Sequence, residues 1–134
     1  MDPAAWRARL AAARVATLGT LDAGGRPHLV PVCFACLDDG RIVSAVDDKP
    51  KRSTALRRLD HVRARPDVCL LAHHYEEDWA QLWWVRVDGT ASVLDGAEPV
   101  MLAALATKYA AYAERPPGGP AIVVTPTRWR GWRA

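Results

Sequence analysis

Two turn signals, Asp22-Ala23-Gly24-Gly25 and Asp38-Asp39-Gly40, cut the first third of the chain into short segments. Asp, Asn and Gly in such clusters reverse the backbone, and Gly supplies the positive φ that a tight turn needs. The segments between them, residues 14–21, 27–37 and 41–46, are rich in β-branched and apolar residues. They read as three strands joined by tight turns, an antiparallel meander. Pro31 interrupts the second of them, which favours an edge, a bulge, or backbone that faces a ligand.

The rest of the chain alternates between periods. Asp2 is a good N-cap and Pro3 suits a first helical position, so residues 3–13 predict a short helix. Residues 51–65 repeat Leu56, Leu59 and Val62 on one face and end at Pro66, a second helix. Residues 68–74 predict a strand, 76–80 a loop, and 82–94 a long strand with Asp88-Gly89 as a kink or bulge. Glu98-Pro99 opens a third helix that runs to about Glu114. Pro116-Pro117-Gly118-Gly119-Pro120 is a rigid connector. Residues 121–125 form a closing strand, and residues 128–133 add a last short one. The sum is about six strands and three helices in one domain spanning 1–134, an α+β chain whose mostly antiparallel strands close into a β-barrel.

Composition narrows the function classes. At 134 residues the chain buries a core but has little surface for a second, substrate-binding domain, so a large active site has to be shared between subunits. The formal net charge is +3, too small to imply nucleic acid. The basic residues of 49–65 are interspersed with Leu56, Leu59 and Val62 and lack the aromatic interleaving of a base-stacking surface. No signal peptide or membrane span is visible, and a cytoplasmic location is expected. Cys33, Cys36 and Cys69 are odd in number and sit among apolar neighbours, as buried free thiols would. Cys33 and Cys36 form a C-x-x-C with no second pair, and His73-His74 has no third ligand at metal spacing, so no metal is expected.

Three segments carry candidate chemistry. Between the third strand and the second helix the chain reads Asp47-Asp48-Lys49-Pro50-Lys51-Arg52-Ser53-Thr54, with Arg57 one helical turn on. Cations at a helix N-terminus oppose the helix dipole, and an anion relieves that conflict. Lys49, Lys51, Arg52, Ser53, Thr54 and the free amides therefore compose a phosphate site. The competing reading is a solvated basic turn neutralised by Asp47 and Asp48. In the second segment, Val30-Pro31-Val32, proline frees one backbone position against which a flat ring can lie. His28, just before it, is either a proton donor or a structural residue. In the third, Trp83 and Trp84 must point to opposite faces of one strand, one filling the barrel and the other meeting a partner or a ring. Catalytic residues stay unassigned, with His28 and Tyr75 as candidates. No Ser-His-Asp set, P-loop or G-x-G-x-x-G appears, which points to a cofactor that brings its own chemistry.

The order of these segments resembles the pyridoxamine-phosphate-oxidase-like superfamily, and within it the deazaflavin (coenzyme F420)-dependent oxidoreductases of actinobacteria. The resemblance rests on residues 14–20 followed by Gly25-Arg26-Pro27-His28-Leu29-Val30-Pro31-Val32. It also rests on Lys49-Pro50-Lys51-Arg52 leading to Leu56-Arg57-Arg58-Leu59, on Leu82-Trp83-Trp84-Val85-Arg86-Val87-Asp88-Gly89, and on Arg128-Trp129-Arg130-Gly131-Trp132. It implies a six- to seven-stranded split β-barrel and a homodimer with cofactor sites at the subunit interface. It implies a cofactor phosphate on Lys49, Lys51, Arg52, Ser53, Thr54 and Arg57, a tricyclic ring against Val30, Pro31 and Val32, and Trp83 or Trp84 reaching in from the other subunit. The implied activity is hydride transfer between F420 and a small conjugated substrate. FMN in the same fold, or a non-catalytic cofactor-binding protein, is the alternative. The chain is much shorter than the pyridoxamine phosphate oxidases themselves, which argues against pyridoxal phosphate synthesis.

Overall fold

The computed structural model describes residues 2–46 and 54–134. In chain order it forms α1 (Pro3–Ala12), β1 (Ala16–Leu21), β2 (Pro27–Val32), β3 (Ala35–Cys36), β4 (Ile42–Ala45), α2 (Thr54–Ala64), β5 (Asp67–His74), β6 (Trp83–Leu94), α3 (Pro99–Lys108), α4 (Ala110–Glu114) and β7 (Ala121–Arg133). A single 3-10 turn at Trp79–Gln81 precedes β6. Asp2 caps α1 by accepting from the Ala5 amide at 2.9 Å. Both turn signals make hairpins. Gly25 and Gly40 take φ of 85° and 95°, and the Asp22 and Asp39 carboxylates accept from the amides of Arg26 and Arg41.

The seven strands form one sheet in the order β2-β1-β5-β6-β7-β4-β3, every pairing antiparallel. The sheet's two edges, β2 and β3, are separated in sequence by Cys33 and Phe34 alone. Laid flat, seven strands would hold their edges about 29 Å apart. The link from Val32 to Ala35 reaches about 11 Å. The sheet must therefore curl until its edges meet, and the barrel follows from topology.

The expected meander is corrected here. Residues 27–37 do not form one strand, and the third segment lies beside only the last part of the second: β4 pairs with β3 and β7, across the barrel seam from β2. The break has a visible cause. Phe34 is fully buried, and its amide donates to the Tyr109 hydroxyl at 3.1 Å instead of to a strand. That hydroxyl donates in turn to the Arg14 carbonyl at 2.9 Å. Lys108 Nζ lies 3.6 Å from the centroid of the Phe34 ring, buried and without a hydrogen-bond acceptor among the described residues. Burial first, and the Arg14 charge after it, bring the Lys108 pKa down to about 8. Tyr109 leaves helical geometry to make these contacts (φ −121°, ψ 119°), which divides the expected third helix into α3 and α4.

Alternation along the strands builds the interior. Ala16 and Leu18 of β1, Val68, Leu70 and Ala72 of β5, Val85 and Val87 of β6, and Ile122 and Val124 of β7 share one core with Ile42 and Phe34. Leu10 of α1 and Leu59 and Val62 of α2 belong to the same core. A second cluster sits outside the barrel, where Met101 and Leu105 of α3 cover Ala35, Val43, Ala45, Ala121 and Val123. The two expected C-terminal strands are one, β7, with a bulge: Asp88 faces Arg128 and Gly89 faces Pro126, so Thr127 is the extra residue. The cysteines are free, but only Cys36 and Cys69 are half-buried. Cys33, expected inside, is exposed because it alternates with the inward Val32 and Phe34.

Two outcomes test this packing. A Cβ on Gly89 would meet the Thr125 carbonyl oxygen at 2.5 Å, so Gly89→Ala forces the bulge apart. It should cost about 1–3 kcal/mol in urea unfolding. The second concerns pH. With Lys108 titrating near 8 in the folded protein and in the ordinary lysine range when unfolded, the unfolded chain binds more protons between those values. Stability contributed by this group therefore rises as pH climbs through that window. Thermal melts at pH 7 and pH 9.5 should show Lys108→Met lacking this gain.

Candidate cofactor site

The structure frames the basic turn at both ends. Val46 donates its amide to the Pro120 carbonyl at 2.8 Å, and its side chain packs against the barrel core. Thr54 opens α2, and Arg57 one turn later is exposed. Lys49, Lys51, Arg52 and Ser53, the heart of the expected phosphate site, lie outside the described residues, as does the Thr54 side chain. Val30 packs against the same core as Val46, so β2 and the end of β4 both flank it.

Of the three residues expected to face a ring, the structure separates Pro31 from its neighbours. Val32 is buried and Val30 half-buried toward the core, while Pro31 is exposed on the opposite face with Leu29. The tryptophans divide in the same way. Trp83 packs against the barrel core, with the Arg9 guanidinium 5.1 Å above its ring and His74 stacked at 6.3 Å. Trp84 takes the outer face, in register with His73 on β5 and Trp132 on β7.

That outer face is the feature sequence reasoning missed. The pairing registers set Pro31 beside Thr17, Thr17 beside Leu71, Leu71 beside Arg86, and Arg86 beside Arg130. The row before it runs Leu29, Gly19, Cys69, Asp88, Arg128. None of these residues is buried, and Leu29 and Trp132 are 70% and 46% exposed. The alternation of Arg86-Val87-Asp88 and Arg128-Trp129-Arg130 carried the signal that these arginines share an outer face. Which strands stand side by side did not show in the sequence.

The two proton-donor candidates are far apart along the barrel. His28 pairs with Thr20 near the start of β5, while Tyr75 follows its end. The His28 ring lies 4.5 Å from that of His61, its Nε2 3.7 Å from Asp22 Oδ2. His61 is buried, with Nδ1 2.9 Å from the Thr20 hydroxyl. The amide of Arg26, then that of Gly24, hold the Asp22 carboxyl below its usual pKa, so it stays anionic beside His28. Arg65 ties the same hairpin to the end of α2 through the Ala23 carbonyl at 3.1 Å. Tyr75 is exposed and accepts from Trp79 Nε1 at 3.3 Å. Among the described residues no group of three His, Cys, Asp or Glu side chains could hold a metal ion, and no helix is long and apolar enough to cross a membrane.

A family model for pyridoxamine 5'-phosphate oxidase matches residues 2–133. The chain belongs to the pyridoxamine 5'-phosphate oxidase family. Solved structures agree on the fold of this family member. A conserved hypothetical protein from Mycobacterium tuberculosis superposes with a TM-score of 0.75 at 21% identity, covering 99% of this chain and 85% of that one. A FAD-binding protein from Mycobacterium smegmatis gives 0.68 at 18% identity, covering 99% and 96%. HutZ, the heme storage protein from Vibrio cholerae, gives 0.67 at 14%, covering 98% and 93%. No curated protein matches by sequence.

The residues of this oxidase-family barrel suit a phosphate-bearing ring cofactor. Cations precede a helix N-terminus in the sequence, an edge strand carries an exposed proline, and the sheet face beside it carries arginines and no buried residue among the described residues. The tryptophan assignment has a direct check. Trp83→Ala should lower unfolding free energy by about 3 kcal/mol, within the range for large core truncations. Trp84→Ala should cost under half of that in the same denaturant titration.

Proposed function

We propose that this chain is a homodimeric oxidoreductase that binds F420 and moves hydride between that deazaflavin and a small conjugated acceptor. The observation that carries the reading is the run of cations and hydroxyls from Lys49 to Thr54, which falls in sequence between the anchored end of β4 and the first turn of α2. In this reading Lys51 and Arg52 neutralise the cofactor phosphate, Ser53, Thr54 and the first amides of α2 donate to it, and Lys49 and Arg57 flank it. Pro31 offers the ring a strand position with no amide to satisfy. When bound, the deazaflavin supplies the hydride chemistry, and the protein orients the ring and excludes water.

The uncovered outer face supports the dimer. Trp84 and the exposed Trp132 stand side by side on that face and make an apolar patch of the kind that marks an interaction surface. A second copy placed there would bring Trp84 and Arg130 toward the neighbouring cofactor. FMN is the alternative occupant, since it also carries a phosphate after a ribityl chain, and two similar structures are of FAD-binding proteins. A non-catalytic cofactor-binding role is the further alternative, for which the likeness to a heme storage protein is the support.

Fluorescence titration of the purified protein with F420 and with FMN decides among these. Tight F420 binding with turnover of enones or quinones is expected, whereas tight binding without turnover across that panel favours storage. Lys51→Ala removes one charge-assisted contact, worth about 1.5–3 kcal/mol, and should weaken binding at least about tenfold. Unchanged affinity in that variant removes the phosphate assignment.

A further inference from the structure

The outer sheet face holds a trough of about 400 Å³ that the cofactor reading does not use. Its floor is Gly19, and Pro27, Leu29 and Cys69 line it beside the carboxylates of Asp67 and Asp88. The glycine is what makes the floor flat: a Cβ there would lie 2.9 Å from Cys69 Sγ and 3.3 Å from Leu29 Cδ2. Leu29 on its wall and Pro31 share one face of β2, two residues or about 7 Å apart. The trough thus adjoins the position given above to the cofactor ring.

Its fixed charge is negative. No lysine or arginine lines the trough, although Arg128 ends the same row and Arg86 and Arg130 stand in the next, and the His28 ring that lines it has its Nε2 3.7 Å from the Asp22 carboxylate. Asp88 is already paired with Arg86 at 3.1 Å. Asp67 has no ion pair among the described residues and stays exposed at the rim.

We propose that this trough seats the hydride acceptor and selects a flat, conjugated ring system bearing a positive charge. The proposal rests on the cofactor reading above. A flat floor between apolar walls admits a planar ring, and the Asp67 carboxylate draws a cation and repels an anion. The redox balance is simple. The two electrons and one proton of a hydride leave the reduced cofactor with its C–H bond and form one new bond on the acceptor. They cancel the acceptor's single charge, and the proton that the cofactor sheds on oxidation passes to solvent, so no protein group has to supply a proton.

Equilibrium dialysis of cofactor-free protein tests it, using methylene blue as the flat cation and 1,2-naphthoquinone-4-sulfonate as the flat anion. Methylene blue should bind at least about tenfold more tightly at low salt. Asp67→Asn should weaken the cationic dye about threefold or more and leave the sulfonate unchanged. Gly19→Val should abolish binding of the cation by filling the floor. Should Gly19→Val fail to fold, Leu29→Arg, on an exposed position, should reverse the preference between the dyes. Equal affinity for the two dyes, or dye binding indifferent to Asp67→Asn and to the folded floor or rim variant, overturns the proposal. Failure of the cofactor reading shows separately, as wild-type protein that binds methylene blue but neither F420 nor FMN.

Discussion

The barrel depends on one closure. Val32 and Ala35 belong to opposite edges of a seven-stranded sheet, and two residues join them. Everything at that seam serves to hold it. Phe34 fills the core from the link itself, Tyr109 accepts the amide that no strand can take, and Lys108 covers the Phe34 ring. The Arg14 guanidinium closes the ring of contacts by donating to the Lys108 carbonyl at 2.8 Å and lying over Tyr109. One short link thereby couples the entry to β1, the end of α3 and both sheet edges. A buried amine with a lowered pKa is the electrostatic cost of that arrangement.

Closure also decides which surfaces remain for function. α1 and α2 contribute to the barrel core, and α3 covers the outside of β3, β4 and the first part of β7. The outer face of β1, β2, β5 and β6 keeps no buried residue. A sheet face that alternates Leu29, Leu71 and Trp84 with arginines and aspartates is too apolar to be only a solvated surface and too charged to be a core. The bulge at Thr127 redirects β7 where this face changes character, from the α3-covered half to the open half.

Much of the architecture was legible in the chain. The two hairpins were announced by Asp22–Gly25 and Asp38–Gly40, the α1 start by Asp2-Pro3, and the irregularity at Asp88-Gly89 by its glycine. These features are local: a capping carboxylate, a positive φ or a missing Cβ acts within a few residues. Local signals failed where distant residues competed for one group. The strand break at Cys33-Phe34 and the helix break at Tyr109 share a single cause, a hydroxyl from position 109 taking an amide at position 34. No window of sequence contains both. The candidate site divides likewise. The basic turn was visible as a composition anomaly, and the opposite facing of Trp83 and Trp84 as simple alternation. The arginine row and the acidic trough needed the strand neighbours.

The sequence by itself determined the period of each segment, the places where the backbone reverses, and a cluster of cations at the head of a helix. Each of these follows from steric and electrostatic rules between near neighbours. The tertiary structure alone decided that β2 and β4 lie across a seam, that Trp83 packs against the core while Trp84 stands beside His73 and Trp132 on the outer face, and that Pro31, Arg86 and Arg130 share one row. Those outcomes are set by sheet order and register. Both are chosen by how the whole apolar surface is best buried, and no short stretch of chain holds that information.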